Sequence, residues 1–466
     1  MCLEVSEVSF KKICATSLAL CMTLLFSACR RESEVFPSLE EVPSSTKQTE
    51  SETSVNDMSG SDGIRSLKVA LPYSDETIRC LSAMFYSKNN GTWDSSVSGA
   101  DVNIDLLTST ATNYVIQNTG VTNDGASLEN LNAWRKSGEE PDLFLASDYQ
   151  SAADAGMAYD ISAFAAKNQY LDGSKIYASS MSEQLKDGKL FGIPHYCAAM
   201  VIFGNSDYVP KNGRIQAKYT SEDFTHYLEL TGKAYKCIPL ASGYEMMPYL
   251  GSCFSGDRAV SYMMYNEYRS NKETAETAIN SASGFVKKLY DSRLSANADK
   301  DGADPVFARK AALWLDSSVS CRTWEEYYPE KLYFLHLPCN NTSNPVVPYL
   351  RPYSLCVSQN CKDMQFAVDF ASFISYDEDA QLLIYRLENM EGLMPLVRSG
   401  RVWNMAGNEG VFGSMVSDYR QAMDNAVYCP GSFDNRIYRK TNEYSMAFFG
   451  SGNDRFNAEA CYGVYD

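Results

Sequence analysis

Aromatic side chains set beside carboxylates, hydroxyls and a guanidinium are where this sequence could do chemistry, and the chemistry they suit is capture without covalent change. Tyr73, the run Ser147, Asp148 and Tyr149, then Tyr196, and Asp316 each fall at the end of, or within, an apolar stretch that reads as a strand or an extended segment. Ligands of open α/β sheets sit outside the carboxyl ends of the strands, which makes these positions candidates for one binding cleft. Trp314, Trp324 and Trp403 offer flat apolar faces, and Arg351 could clamp a carboxylate. Aromatic platforms ringed by side chains that donate and accept in pairs suit solutes with flat C–H faces and many hydroxyls. Each candidate has a plainer alternative: core packing for Trp314 and Trp403, a helix N-cap for Asp148, a structural ion pair for Arg351.

Covalent catalysis finds little support. The chain has no GxSxG, no HExxH and no Walker A motif, and its only histidines are His195, His226 and His336. A glycan hydrolase built on paired carboxylates stays open as an alternative, because sequence does not show which Asp and Glu converge. No CxxC occurs among the fourteen cysteines, so no metal and no cofactor are assigned. Setting aside Cys2, Cys14, Cys21 and Cys29 leaves ten, whose disulfide pairing is undetermined. The net charge of −17 comes without a basic patch, which argues against a nucleic-acid partner.

The N-terminus reads as an export signal. Lys11 and Lys12 precede an uncharged apolar run, Ile13 to Ala28, too short for a span of about 20 residues and stopped by Cys29, Arg30 and Arg31. Leu25-Phe26-Ser27-Ala28-Cys29 resembles the lipobox of bacterial lipoproteins, in which the cysteine is lipidated and becomes the mature N-terminus. The resemblance implies a signal peptide over residues 1–28, lipidation at Cys29, and a chain anchored at the extracellular face of the cell membrane. Residues 29–65 are rich in Ser, Glu, Thr and Pro and nearly free of aromatics, a composition expected of a flexible tether.

The body must supply the elements that hold the candidate residues. Its roughly 400 residues exceed one usual core and suggest two lobes. SLKVALPY at Ser66 reads as a strand and Glu76 to Asn90 as a helix; Asp101 to Thr108 reads as a second strand from its alternating Val102, Ile104 and Leu106. Ser127 to Gly138 reads as a capped helix, Pro141 to Ser147 as a buried strand, and Ala152 to Ala158 as helical. Lys189 to Phe203 reads as a long extended segment of the kind that passes between domains. Helices follow at Ser221 to Tyr235 and Glu273 to Leu294, strands at KAALWLDSS and KLYFLHLP, and helices at Asp363 to Tyr376 and Glu378 to Leu387. The β-α alternation predicts an α/β fold.

These segments in this order resemble the extracellular solute-binding proteins of family 1, the sugar-binding group that includes maltose-binding protein. The residues that carry the resemblance are PDLFLAS at Pro141, DGKLFGIPHYCAAMVIFGNSDYV from Asp187, AALWLDSS from Ala311, and SQNCKDMQFAVDFASFIS followed by EGLMPLV. The resemblance implies a two-lobed periplasmic-binding-protein-like fold of type II, each lobe a sheet flanked by helices. Residues 66–196 plus 337–395 would form the N-terminal lobe, and 197–336 plus 396–466 the C-terminal lobe. It places Tyr244 where an aromatic residue of the second lobe meets the ligand. The implied function is a non-enzymatic, monomeric substrate-binding lipoprotein of an ABC importer, with a mono- or oligosaccharide and the permease subunits as partners. A non-sugar solute such as iron or a polyamine, and a ligand sensor, remain as alternatives.

Overall fold

The computed structural model describes residues 63–466 apart from 124, 147, 178–179, 182–183, 187, 212, 216–218, 242, 256–271, 297–304, 341–348, 409–411, 429–442, 446, 450–456 and 458–466. The proposed signal peptide, Cys29, nearly all of the tether and Ser147 lie outside the described residues. No helix among the described residues is long and apolar enough to cross a membrane.

Three parallel strands open the body: β1 (Arg65–Ala70), β2 (Tyr114–Asn118) and β3 (Leu143–Ala146), with β1 paired to both others. Between them the helices Asp75–Asn89 and Leu128–Ser137 cover the sheet. Ser127 caps the second in a reciprocal capping box with Asn130, and Gly138 ends it in the left-handed conformation at φ 73°. The sheet is buried on both faces. Leu67, Val69 and Leu145 pack with Phe85, Phe366, Phe370 and Phe373 on one side, and Ala70, Phe144 and Ala146 with Leu131 and Tyr149 on the other.

One expected strand is a helix. Ile104–Thr108 forms a short helix, and the strand beside β1 is Tyr114–Asn118 instead. Three alternating apolar residues were too few to settle the period. Asn103 accepts a hydrogen bond from Leu106 N–H at 3.1 Å and starts the helix, Leu107 is buried, and Leu106 is left 68% exposed.

After a two-strand hairpin of β4 (Leu185–Lys186) and β5 (Lys189–Leu190), strand β6 (Ile193–Asn205) runs through two half-sheets. Further strands are β7 (Ile238–Leu240), β8 (Ala311–Ser317), β9 (Leu332–Leu335), β10 (Tyr349–Val357), β11 (Leu393–Pro395) and β12 (Val427–Tyr428). The first half of β6 pairs antiparallel with β10 and β11, from Ile193↔Leu355 to Ala199↔Leu350. Its second half pairs with β8 and β9, from Met200↔Ser317 to Asn205↔Leu332. β10 returns the chain to β3, giving the order β2-β1-β3-β10-β6-β8-β7.

The second half-sheet has a core of its own. Ile202, Leu240, Leu313 and Leu335 pack against Phe224 and Leu228 of the helix Ser221–Ala234 and Ile279 and Val286 of the helix Lys272–Asp291. On its other face Phe203 stacks on Trp314 and meets Phe334, which abuts Phe412. Ser318 stitches three segments at the change of sheet. Ala199 N–H donates to its Oγ at 2.8 Å, and its hydroxyl donates to Gly392 C=O at 2.5 Å. Gly392 must be glycine: its φ is 80°, and a Cβ there would lie 2.0 Å from the Ser318 carbonyl oxygen.

Candidate functional site

β1 ends in Leu71-Pro72-Tyr73, and Asn118 at the end of β2 holds that turn. Its side-chain carbonyl accepts from Leu71 N–H at 3.0 Å, while its amide donates to Leu71 C=O at 3.1 Å and Tyr73 C=O at 2.8 Å. The turn aims the Tyr73 phenol inward, into hydrogen-bond contact with Nε2 of His195, and both residues are buried. His195 Nδ1 meets Ser375 Oγ at 3.0 Å. Burial holds the imidazole down to about 3 and pushes the phenol well above its ordinary range. With the ring neutral, one ring nitrogen donates and the other accepts, so Tyr73 and Ser375 take opposite roles in the chain. Ser74 follows, capping the helix Asp75–Asn89 and giving both its N–H and its hydroxyl to Glu388 at 2.7 and 2.8 Å.

At the end of β3, Asp148 caps the short helix Tyr149–Asp154. Its carboxylate accepts from Gln150 N–H at 2.9 Å, Ser151 N–H at 3.2 Å and the Ser151 hydroxyl at 2.5 Å. Tyr149 is buried and its phenol oxygen accepts from Gln150 Nε2 at 3.1 Å. On β6, Tyr196 is buried beside the rings of His195 and Tyr353 and donates to Asn123 C=O at 2.9 Å. Arg351, half-buried on β10, lies with its guanidinium 5.3 Å from the Tyr353 ring centroid.

β7 and β8 run parallel, and β7 ends at Leu240, opposite Leu313, four residues before β8 does. Gly243 then donates its N–H to Ser295 Oγ at 2.8 Å, so close that a Cβ would stand 2.7 Å from the same oxygen. The tight turn begins a single 3-10 stretch, Gly243–Tyr249, that presents Tyr244 half-buried against the second core. At the end of β8, Asp316 accepts from Trp324 Nε1–H and from Ser317 N–H, both at 2.6 Å. Burial raises its carboxyl above the ordinary aspartate value, and the donors offset that only in part.

Around that carboxylate stands an aromatic wall. Trp314 is buried, stacked on Phe203 at 5.7 Å and on Tyr328 at 5.0 Å, with Trp324 edge-on at 5.3 Å. Outside Trp324 lie Phe307 and Tyr327, 53% and 40% exposed, with centroids 5.2 Å apart. Trp403 is elsewhere: buried, donating Nε1–H to Val397 C=O at 2.9 Å, with Asn404, Gly407, Ser417 and Arg420 around a surface pocket of about 280 Å³.

The strand-end nominations therefore divide. Asp316 and Trp324 are in direct contact, and Tyr244 follows the strand next to β8. Tyr73, Tyr149, Tyr196, Trp314 and Trp403 are packed inside, and Asp148 is committed to a helix end. His195, Ser375 and the exposed pair Phe307 and Tyr327 were not singled out as site residues. His195 and Ser375 could not have been linked from sequence, being 180 positions apart. Phe307 and Tyr327 carry an ordinary aromatic signal that only their mutual contact makes notable.

No family model matches the chain, and no curated protein does. Solved structures match its fold. A family 1 extracellular solute-binding protein from Bifidobacterium longum subsp. infantis is 13% identical and superposes with a TM-score of 0.59, covering 86% of this chain and 97% of that one. The sugar-binding protein MalE of Xanthomonas citri is 13% identical, with a TM-score of 0.58 over 84% of this chain and 93% of that one. An ABC substrate-binding protein of Listeria monocytogenes in complex with cycloalternan is 14% identical, with a TM-score of 0.54 over 83% and 94%. The half-sheets joined through β6 and β10, and these superpositions over nearly the whole of each neighbour, give the chain the two-lobed α/β fold of the extracellular solute-binding proteins.

Proposed function

We propose that this chain is the solute-capturing lipoprotein of an ABC importer and that its cargo is a carbohydrate. The observation that carries the reading is the sharing of β6 by two half-sheets, with β10 returning beside it, because two connected crossings are what a hinge between lobes requires. The neighbours named for sugar binding, and the cycloalternan complex, support the choice of cargo. Lobes spanning 66–196 with 337–395 and 197–336 with 396–466 would rotate about those crossings. A solute touching both would favour the closed state by its differential affinity, and the closed state would be what the permease subunits recognise.

Tyr244, Asp316, Trp324 and Arg351 are the side chains we assign to the solute, with Ser147 as a further polar group; Asp148, whose carboxylate caps a helix, is assigned to positioning. A carboxylate held beside an indole can accept from paired sugar hydroxyls while the aromatic face covers their C–H side. Tyr73, Tyr149, Tyr196, Trp314 and Trp403 are assigned to positioning, since their polar atoms or faces are taken up inside the protein. Cys29 would carry the lipid and residues 29–65 the tether, which keeps the body at the outer membrane face. No covalent step is required.

The test is a thermal-shift screen against mono- and oligosaccharides, amino acids, polyamines and ferric iron. A ligand at about 100 times its Kd adds about 2.7 kcal/mol. A shift with one sugar class, the sugar being recovered intact, supports the reading. A shift only with a non-sugar moves the cargo to that class, and cleavage of the sugar overturns the non-enzymatic assignment.

A further inference from the structure

Two buried cysteines from distant parts of the chain meet in the core of the second half-sheet. Cys253 lies in the helix Leu250–Ser255, and Cys339 follows β9 by four residues. Both belong to the same apolar cluster, with Tyr219, Leu250, Phe285 and Leu337. Their backbones are joined directly: Asn340 N–H donates to Cys253 C=O at 3.1 Å, and Cys339 C=O accepts from Ser221 N–H at 3.0 Å. With that 3.1 Å bond, standard backbone lengths cap the separation of the two Cα atoms at about 8 Å, and any bend in the path shortens it towards the range a disulfide spans. The Cys339 side chain is also near enough to that of Cys253 to raise its thiol, and the Cys339 thiol faces Leu337 C=O at 3.6 Å.

We propose that Cys253 and Cys339 form a disulfide in the oxidised protein, a covalent staple across the second core. Two thiols lose two protons and two electrons, and the acceptor is a small-molecule disulfide such as oxidised glutathione, which is reduced to two thiols. One protein thiolate first attacks the small disulfide and releases one glutathione. The second protein thiolate then displaces the other from the mixed disulfide. The neighbouring Cys339 side chain and burial together hold the Cys253 thiol well above its ordinary range once the core is closed, so the bond forms while the chain folds. The inference is independent of the solute and of the importer.

A bond here closes a loop of roughly 85 residues, among the longer loops for which restriction of the unfolded chain counts most. It would fix the helix carrying Cys253 against the segment that follows β9, next to the strand end that presents Tyr244.

The full chain is refolded in a mixture of oxidised and reduced glutathione, alkylated without reduction, digested and mapped by mass spectrometry. The expected result is a linked peptide pair containing Cys253 and Cys339, about 2 Da lighter than the two reduced peptides together. A second measurement compares melting with and without dithiothreitol. The native chain should lose roughly 5–10 °C on reduction, and C253A/C339A should lose none of that increment. Recovery of Cys253 and Cys339 as separately alkylated peptides from folded, glutathione-treated protein overturns the proposal. So does a linked pair joining either one to another cysteine.

Discussion

The ends of β1 and β8 occupy equivalent places, each the carboxyl end of a strand in its own half-sheet, yet they hold opposite kinds of polar group. At β1 the Tyr73 phenol is closed into a chain with His195 and Ser375, and burial keeps the imidazole uncharged. At β8 the Asp316 carboxylate has taken an indole N–H and a backbone N–H, and it stands beside Trp324, behind which two aromatic rings remain exposed. The first end is finished internally and serves to fix the crossing strand. The second is half-open: Trp324 is buried, but the Asp316 carboxylate is part-exposed and the rings of Phe307 and Tyr327 reach the surface. Position at a strand end is therefore a poor criterion for ligand contact unless the polar atom's present partners are known.

The strongest way to break this contrast is through the wall behind Asp316. Trp314→Ala should cost about 4 kcal/mol of stability, because Phe203, Tyr328 and Trp324 do not close the space. A loss below about 1 kcal/mol in urea unfolding would mean the wall is loosely packed and the two ends differ less than described.

Next comes acid. His195 has its folded pKa depressed to about 3 from the ordinary 6.5, so the unfolded chain binds the proton first and stability falls as pH drops from 6.5 towards 3. Between pH 7 and 4.5 this contributes a loss of about 3 kcal/mol, and His195→Gln should show a correspondingly smaller acid loss. Equal acid sensitivity in the two proteins would remove His195 as its source.

Tyr244→Ala is expected to weaken solute binding by more than tenfold, about 1.4 kcal/mol, without unfolding the protein. Unchanged affinity in a calorimetric titration would take Tyr244 out of the site. The smallest effect belongs to Asp316, whose shift has the other sign. Its folded pKa is raised, so ionisation costs stability as pH rises through that value, and the cost is absent below the ordinary aspartate range. Asp316→Asn should therefore be slightly more stable than the native chain at neutral pH and lose that advantage on acidification. An advantage that grows in acid would show that the Trp324 hydrogen bond, and not burial, dominates.

Much of the fold could be read from local pattern. Ser127 and Gly138 marked both ends of their helix, PDLFLAS located β3, and the apolar length of Lys189 to Phe203 foretold the strand that became β6. The helices near Asp363 and Glu378 also fall where their periodicity put them. The misread segment, Asp101 to Thr108, carried only three alternating residues, and a side-chain cap at Asn103 outweighed them. The candidate site was less legible. Which phenols point inward depends on partners 122 positions away for Tyr73 and 73 for Tyr196, and no local pattern encodes contacts of that span.

The pairing of β3 with β10 also governs how the protein is made. β3 is synthesised about 200 residues before the strand that covers its edge, and the intervening chain must build the second half-sheet meanwhile. During that interval β3 presents unpaired N–H and C=O groups along an apolar strand, a template for joining another chain. How long that edge stays open is a kinetic quantity that the finished sheet conceals.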